Sequence, residues 1–366
     1  MRVIRVNARD FRNLERVEAA LADSVTVVHG PNGAGKTNLL EALYFGCTAR
    51  SCRTSNEREL VRFGTKVARV EVELEAEDGP HRLEVGLEPG QAKRVKLDGA
   101  PAAGPPGGEV RPLVSVFMPD RLDLVKGAPS LRRAHLDQLV AALWPSRGVN
   151  RAAYNRALSQ RNALIGRVRA GAAQPDLLDT WDLELARTGL ALMADRVEAC
   201  ALVAPRFAER AADLGLPEDA TLRYRPRSRA EGEDALRAEL AERRDEDLAR
   251  GFSAHGPHRD EVVLAHAGRP LRAYGSQGQQ RLGLLALLFA ERDVLLEARG
   301  NPPLMLLDDV MSELDSARRE RLVELLSGGG QAVITTTDLD HVPGAADQGA
   351  GALAVMSGQL AREPVA

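Results

Sequence analysis

Ser24-Val25-Thr26-Val27-Val28-His29-Gly30-Pro31-Asn32-Gly33-Ala34-Gly35-Lys36-Thr37 is an apolar run that empties into a glycine-rich turn, and Asn38-Leu39-Leu40-Glu41 follows as the start of a helix. The turn fits G-x-x-x-x-G-K-[ST] with a strand before it and a helix after it, the context a phosphate cradle requires. Its glycines let backbone N–H groups turn inward without Cβ clashes. The helix start adds a positive dipole end, Lys36 supplies a point charge for β- and γ-phosphates, and Thr37 offers a hydroxyl to Mg2+. Gly30, Pro31, Asn32, Gly33, Ala34, Gly35, Lys36 and Thr37 are therefore expected to hold a nucleoside triphosphate, ATP with Mg2+. The plainer reading, a chance glycine turn, fits the flanking strand and helix poorly.

Far downstream, Pro303-Leu304-Met305-Leu306-Leu307-Asp308-Asp309 reads as a buried parallel strand ending in two carboxylates. A P-loop fold needs an acid there beside the metal, so Asp308 is expected to hold Mg2+ and Asp309 to orient or deprotonate an attacking water. The plainer alternative makes Asp309 a helix cap. Upstream, Tyr274-Gly275-Ser276-Gln277-Gly278-Gln279-Gln280-Arg281 opens a long apolar helix. A serine with small residues at a helix start forms a second anion-accepting surface, although a simple Ser cap would look the same. Its place 32 residues before Asp308 makes it specific.

The order P-loop, Ser276–Arg281, Leu306–Asp309, Ser312-Glu313-Leu314-Asp315 resembles the head domain of ABC-type ATPases, in the branch of SMC and related DNA-repair proteins. Within that branch the chain closely resembles the RecF family of bacterial gap-repair proteins. Phe11-Arg12-Asn13-Leu14, Glu59-Leu60-Val61-Arg62-Phe63-Gly64, Asp123-Leu124-Val125-Lys126-Gly127 and Gly256-Pro257-His258-Arg259-Asp260 extend the likeness along nearly the whole chain. The resemblance implies an α/β fold, an ABC-type P-loop ATPase head with an inserted, mostly helical arm. It implies heads that dimerise face to face around two ATPs, with Ser276 reaching the γ-phosphate of the partner's nucleotide and Gln277 and Gly278 beside it as nucleotide-binding residues. Arg12 and Asn13 would line the pocket, and Lys36, Ser276 and Asp309 would form the catalytic set. Thr337 stands where many relatives carry a switch histidine; Pro119 and Asp120 stand where they place a glutamine loop. A threonine carries no charge and Asp309 is shorter than the usual glutamate, so turnover is expected to be slow. The implied role is ATP-gated binding of duplex DNA near single-strand gaps, helping RecO and RecR to load RecA, with weak DNA-stimulated ATP hydrolysis resetting the dimer.

Other classes fit less well. A short SMC-like chromosome-organising ATPase would need sustained heptads, which the roughly 155 residues between Asp120 and Ser276 lack. A transporter's nucleotide-binding subunit is disfavoured by the glutamine-rich signature and the large insertion, and a nuclease-coupled ATPase by the lack of a carboxylate cluster after residue 315.

Period-2 alternation at Val70, Val72, Leu74 and at Leu83, Val85, Leu87 predicts a β-rich start, with further strands at Val95–Leu97 and Leu113–Phe117. Residues 122–248 turn helical, punctuated by Pro175, Pro205 and Pro217. Short strands are expected again at Val262–Leu264 and Leu271–Ala273, then an α/β finish. The expected division is a discontinuous head, 1–121 and 252–366, around a helical arm, 122–251.

The chain has 366 residues and a formal net charge of −3, a balance that does not itself point to nucleic acid. Its distribution is uneven: residues 121–170 carry ten basic side chains against Asp123 and Asp137. That stretch is either a phosphate-contacting surface or a set of solvated arginines whose spacing circles the helix. Arg50 and Arg53 are further candidates for phosphate contact. His258 and Arg259 read as parts of a structural turn, His29 as a strand end, and Trp144 and Trp181 as core. No apolar run is long enough to span a membrane, the start reads as a strand and not a leader, and three unpaired cysteines fit a reducing compartment, so a cytoplasmic protein is expected.

Overall fold

The computed structural model describes residues 1–102, 112–118, 122–216, 219–312, 314–345 and 351–361. Pro119, Asp120 and most of the proline-rich loop after Gly99 lie outside them.

The chain opens with a hairpin, β1 (Arg2–Phe11) and β2 (Leu14–Ala20), followed by β3 (Val25–His29) and helix α1 (Lys36–Thr48). Strands β4 (Ala68–Ala76), β5 (Gly79–Leu87), β6 (Arg94–Leu97) and β7 (Ala100–Pro101) extend the hairpin into an antiparallel sheet of order β2-β1-β4-β5-β6-β7. The alternation read in the sequence decides its faces. Val70, Val72 and Leu74 are buried, while Arg69, Glu71 and Glu73 point outward. The buried face receives α1, and Gly46 permits the approach: a Cβ there would stand 2.4 Å from Val72 Cγ2. Phe45 of the same helix meets Phe11 at 5.6 Å between ring centroids.

A second sheet, of order β15-β14-β3-β13-β12-β8, carries α1 on the carboxyl end of its inner strand β3. Its other members are β8 (Val114–Phe117), β12 (Leu304–Leu307), β13 (Ala332–Thr336), β14 (Gly351–Met356) and β15 (Gln359–Ala361). β3, β12 and β13 are buried along nearly their whole length, as strands of a parallel sheet covered on both faces must be.

Packing divides the chain into two compact units. The first is Met1–Arg121 with Asp213–Gly215 and Leu295–Ala366; the second is Leu122–Ala212 with Leu216–Val294. The second unit therefore takes in residues 252–294, which the sequence pattern assigned to the head. The cause is β-pairing: β9 (Thr221–Arg225) pairs with β10 (Glu261–His266). Its helices include α2 (Asp123–Lys126), α3 (Pro129–Leu143), α4 (Gly148–Arg169), nearly all of α5 (Leu178–Asp213), α6 (Glu233–Glu242) and α7 (Arg244–Arg250).

Four expectations need correction here. Pro205 does not punctuate the helical run but lies inside α5, whose buried Cys200, Val203, Phe207 and Ala211 hold the helix together across the missing hydrogen bond. Leu271–Ala273 is not a strand. The hairpin strand β11 (Arg269–Pro270) stops at a proline that cannot donate to a ladder, and α8 (Leu271–Tyr274) begins, ahead of α9 (Gln277–Arg299). The basic run 121–170 is not one exposed patch, because Arg132 and Arg161 are buried and tied to carboxylates. Trp144 and Trp181 are only half-buried.

Two closed charge clusters fasten the second unit. Arg161 of α4, fully buried, donates from Nε to Asp182 of α5 and from Nη1 to Asp247 of α7, each at 2.6 Å. Arg244 adds a second cation to Asp182 at 2.7 Å. Arg196 of α5 grips Asp137 of α3 through both of its carboxylate oxygens, at 2.7 and 3.1 Å, and donates to the Pro257 carbonyl at 2.8 Å. His258 lies in the same region as the structural residue expected: it receives the Tyr154 hydroxyl at Nδ1, 2.7 Å, and donates from Nε2 to the Ser253 carbonyl, 2.9 Å. Burial lowers its pKa to about 4, so the ring is neutral.

Candidate nucleotide site

The site belongs to the first unit and starts where β3 ends. Gly30 leaves the strand with φ 150°, and a Cβ on it would press to 2.2 Å of the Val355 carbonyl oxygen. Gly35, at φ 116°, would meet Asn13 Oδ1 at 2.9 Å. Only glycine fits both places, and the loop is shaped by what packs behind it. From one side comes the β1–β2 turn, Arg12-Asn13, whose Asn13 Oδ1 accepts from Asn38 Nδ2 at 2.8 Å. From the other comes the β14–β15 turn, where Gly358 N donates to the Ala34 carbonyl at 2.8 Å.

Lys36 and Thr37 open α1. The Lys36 side chain folds back over the loop, its Nζ donating to the carbonyls of Gly30 at 2.7 Å and Pro31 at 3.0 Å. Lys36 is buried and desolvation lowers its pKa, opposed by the charges of Asp309 and Asp308. Thr37 Oγ1 donates toward both oxygens of Asp308, at 2.8 and 2.9 Å.

Asp308 comes to this point at the end of β12. Because Leu307 pairs with Ile334 of β13, the next position sets Asp308 beside Thr335, whose Oγ1 donates to Asp308 Oδ1 at 2.7 Å and accepts from the Asp309 N–H at 2.8 Å. Burial raises the Asp308 pKa, against the hydrogen bonds of Thr335 and Thr37. Asp309 sits beyond it, half-buried, in a left-handed backbone conformation with φ 46°. Lys36 and Asp308 are thus a buried ammonium and a buried carboxylate, each satisfied by neutral groups and neither in an ion pair within the described residues.

Such a cradle fits a polyphosphate and a hard cation. Its backbone admits no side chain at Gly30 or Gly35, and its metal-side donors, the Thr37 hydroxyl and the Asp308 carboxylate, are oxygens of the kind Mg2+ takes.

The other expected residues are placed as follows. Asn13 lies on the loop, whereas Arg12 turns to Glu41, which it grips at 2.9 and 3.0 Å. Arg53 also reaches Glu41, at 3.2 Å, and Asn38, at 2.9 Å, so it is tied into the site's flank. Thr337 follows β13 in an exposed position. Ser276, Gln277 and Gly278 are exposed and belong to the second unit; Ser276 and Gln279 cap α9 reciprocally, at 2.8 and 3.2 Å. Glu41, Thr335 and Gly358 were not anticipated. Glu41, fully buried amid Leu39-Leu40 and Ala42-Leu43, had a signal: an acid inside an apolar helical run.

Fold and cradle together define an ABC-type ATPase head of the SMC kind with a mostly helical arm. Residues 5–103 match the model of the AAA domain family. The head of an Smc protein bound to the C-winged helix domain of ScpA shares the fold, with a TM-score of 0.58 at 18% identity over 98% of this chain and 96% of that one. A solved structure of the recombination mediator protein RecF with ATP, in the RecFOR pathway, matches at TM-score 0.87 and 27% identity, covering 99% of this chain and 98% of that one. The DNA replication and repair protein RecF of Streptomyces avermitilis is 38% identical over 360 residues, 94% of this chain and 95% of its own. The chain belongs to the RecF family of DNA replication and repair proteins. That membership sets aside the transporter and SMC-like alternatives.

Proposed function

We propose that this protein is an ATP-gated DNA-binding dimer of recombinational repair. One observation carries the reading: Lys36 and Asp308 are buried with opposite charges at one glycine cradle, yet each is held only by neutral partners. Buried charges that touch no counter-charge are costly, and a bound Mg2+–triphosphate would give each of them one. Lys36, now on the carbonyls of Gly30 and Pro31, would donate to β- and γ-phosphate oxygens. Backbone N–H groups of Asn32–Thr37 would face the phosphates, apart from that of Ala34, which donates to the Pro31 carbonyl at 3.2 Å, with Asn13 bracing the loop and Arg12 fixed beside it. Thr37 and Asp308 would hold Mg2+, which would supply positive charge against the phosphate oxygens. Asp309 orients or deprotonates the attacking water, and Thr337 offers a hydroxyl where a cation would speed the reaction, so hydrolysis is slow and acts as a reset.

Ser276, Gln277 and Gly278 close the pocket of a second copy. Their exposure supports this role, because no group in the described chain covers them. In functional terms the head is 1–121 with 252–366 and the arm 122–251, the signature helix serving the head's nucleotide. The dimer binds duplex DNA near gaps in the cytoplasm and, with RecO and RecR, helps load RecA.

Sedimentation with and without ATP tests this. Wild type is expected to dimerise on ATP, Lys36→Ala to lose nucleotide affinity by about 10- to 100-fold and stay monomeric, and Ser276→Arg to bind nucleotide normally yet fail to pair. A Lys36→Ala protein that still dimerises on ATP, or full hydrolysis by a strict monomer, would overturn the reading.

A further inference from the structure

The outward face of the first sheet is sorted by charge into rows that run across its strands. One row is Glu18, Asn7, Glu71, Glu84 and Lys96, in successive register on β2, β1, β4, β5 and β6. Its acids are engaged by neighbouring arginines. Arg5 lies 2.7 Å from Glu18, and Arg82 lies 2.5 Å from Glu71 and 3.4 Å from Glu84.

The adjacent row is different. Arg16 pairs with Arg9, Arg9 with Arg69, Arg69 with Gly86, and Gly86 with Arg94. Four arginines therefore stand in one line, three of them on directly neighbouring strands. All four are exposed. Among the described residues, Arg9 has only its own neighbour Asp10, at 3.7 Å, and Arg16, Arg69 and Arg94 have no carboxylate in ion-pair contact. Like charges directly opposite one another weaken a sheet, so the free protein carries this row at a cost. The face is concave there, with an open volume of about 650 Å³.

We infer that this arginine row is a docking surface for the phosphate backbone of duplex DNA. Neighbouring strands lie about 4.8 Å apart, so the row extends about 19 Å. That length faces roughly five phosphates of one DNA strand, at about 3.4 Å of helix axis each. Guanidinium groups present planar forks that match phosphate oxygens, and a regular line of anions relieves the repulsion among them together. The row holds no base-reading amide and no exposed aromatic, so the contact is to backbone and indifferent to sequence. This inference rests on the DNA-binding reading above and adds the surface that carries it.

The test is binding of a short fluorescent duplex to the full-length protein, with a non-hydrolysable ATP analogue, over a salt series. Arg9→Gln/Arg69→Gln is expected to reduce the slope of log K against log salt by about 2, one step per lost phosphate contact. Arg5→Gln/Arg82→Gln, removing arginines of the same face already engaged by glutamates, is expected to keep the wild-type slope. Unchanged affinity of Arg9→Gln/Arg69→Gln for a fluorescent nucleotide verifies its fold. A wild-type slope in that variant overturns the inference, and a concurrent loss of affinity for poly-glutamate would mark the row as a protein-docking surface instead. Failure of wild type itself to bind duplex in the presence of nucleotide counts against the DNA-binding reading as a whole.

Discussion

Two sites, one in each unit, treat buried charge in opposite ways. In the second unit, Asp182 and Asp247 face Arg161, Asp182 also faces Arg244, and Asp137 faces Arg196: every buried acid in these clusters has its cation. In the first unit Asp308 and Lys36 are held by hydroxyls and carbonyls alone. The contrast separates a peg from a receptor. A closed cluster ties α4, α5 and α7 in one arrangement, each of its acids already facing a cation, with only Arg161 Nη2 left without a hydrogen-bond partner. In the open one, Lys36 and Asp308 feel each other's charge but are in no ion pair among the described residues. Counting buried charges would rank the two sites alike; asking what neutralises each of them does not.

The largest expected effect breaks the closed side. Arg161→Ala leaves Asp182 and Asp247 buried without their shared cation, and urea unfolding should show a loss of about 3–5 kcal/mol. A loss under about 1 kcal/mol would mean that the cluster is hydrated and the contrast unfounded. Next comes pH. His258 is neutral in the fold with a pKa near 4, below its ordinary value, so the unfolded chain binds its proton first as pH falls. The stability is fully present above about pH 6.5 and lost progressively down to about pH 4, by about 3 kcal/mol in all. His258→Gln, which cannot titrate, should flatten the stability curve in that window; an unaltered curve would assign the slope to other groups. The smallest effect lies on the open side and has the opposite sign. Burial raises the Asp308 pKa, so its ionised form costs stability once pH exceeds the folded-state value. Asp308→Asn should stabilise the nucleotide-free protein by about 1 kcal/mol at neutral pH, with the gain shrinking as pH falls into the carboxylate range. Asp182→Asn should destabilise. Thermal melts of the two variants that move in the same direction would erase the distinction.

The nucleotide cradle was legible because its information is local. Gly30 to Thr37 is one contiguous turn between a strand and a helix, and Leu304–Asp309 announces its own burial and its polar end. What completes the site was not legible, because it comes from pairing across long separations. Thr335 acquires its place only when β13 lies parallel to β12, and Gly358 only when the last hairpin reaches the loop. The same reason hid β9, whose partner β10 lies beyond two helices. The basic run of residues 121–170 misled in the other direction: charge was visible in sequence, but the carboxylates that engage Arg132 and Arg161 are contributed by Glu261, Asp182 and Asp247, far along the chain. The arginine row needed register, since Arg9, Arg16, Arg69 and Arg94 are unremarkable until the strands are laid side by side.

The Gly358 bond to Ala34 has a consequence during synthesis. The phosphate motif emerges early from the ribosome, but the turn that braces it is made more than three hundred residues later. A nascent polypeptide halted before residue 351 contains every letter of the motif and lacks the strut behind it. The loop is thus written near the start of the chain and supported from its end, and the Ala34 carbonyl gains its backbone donor only when the last hairpin is in place.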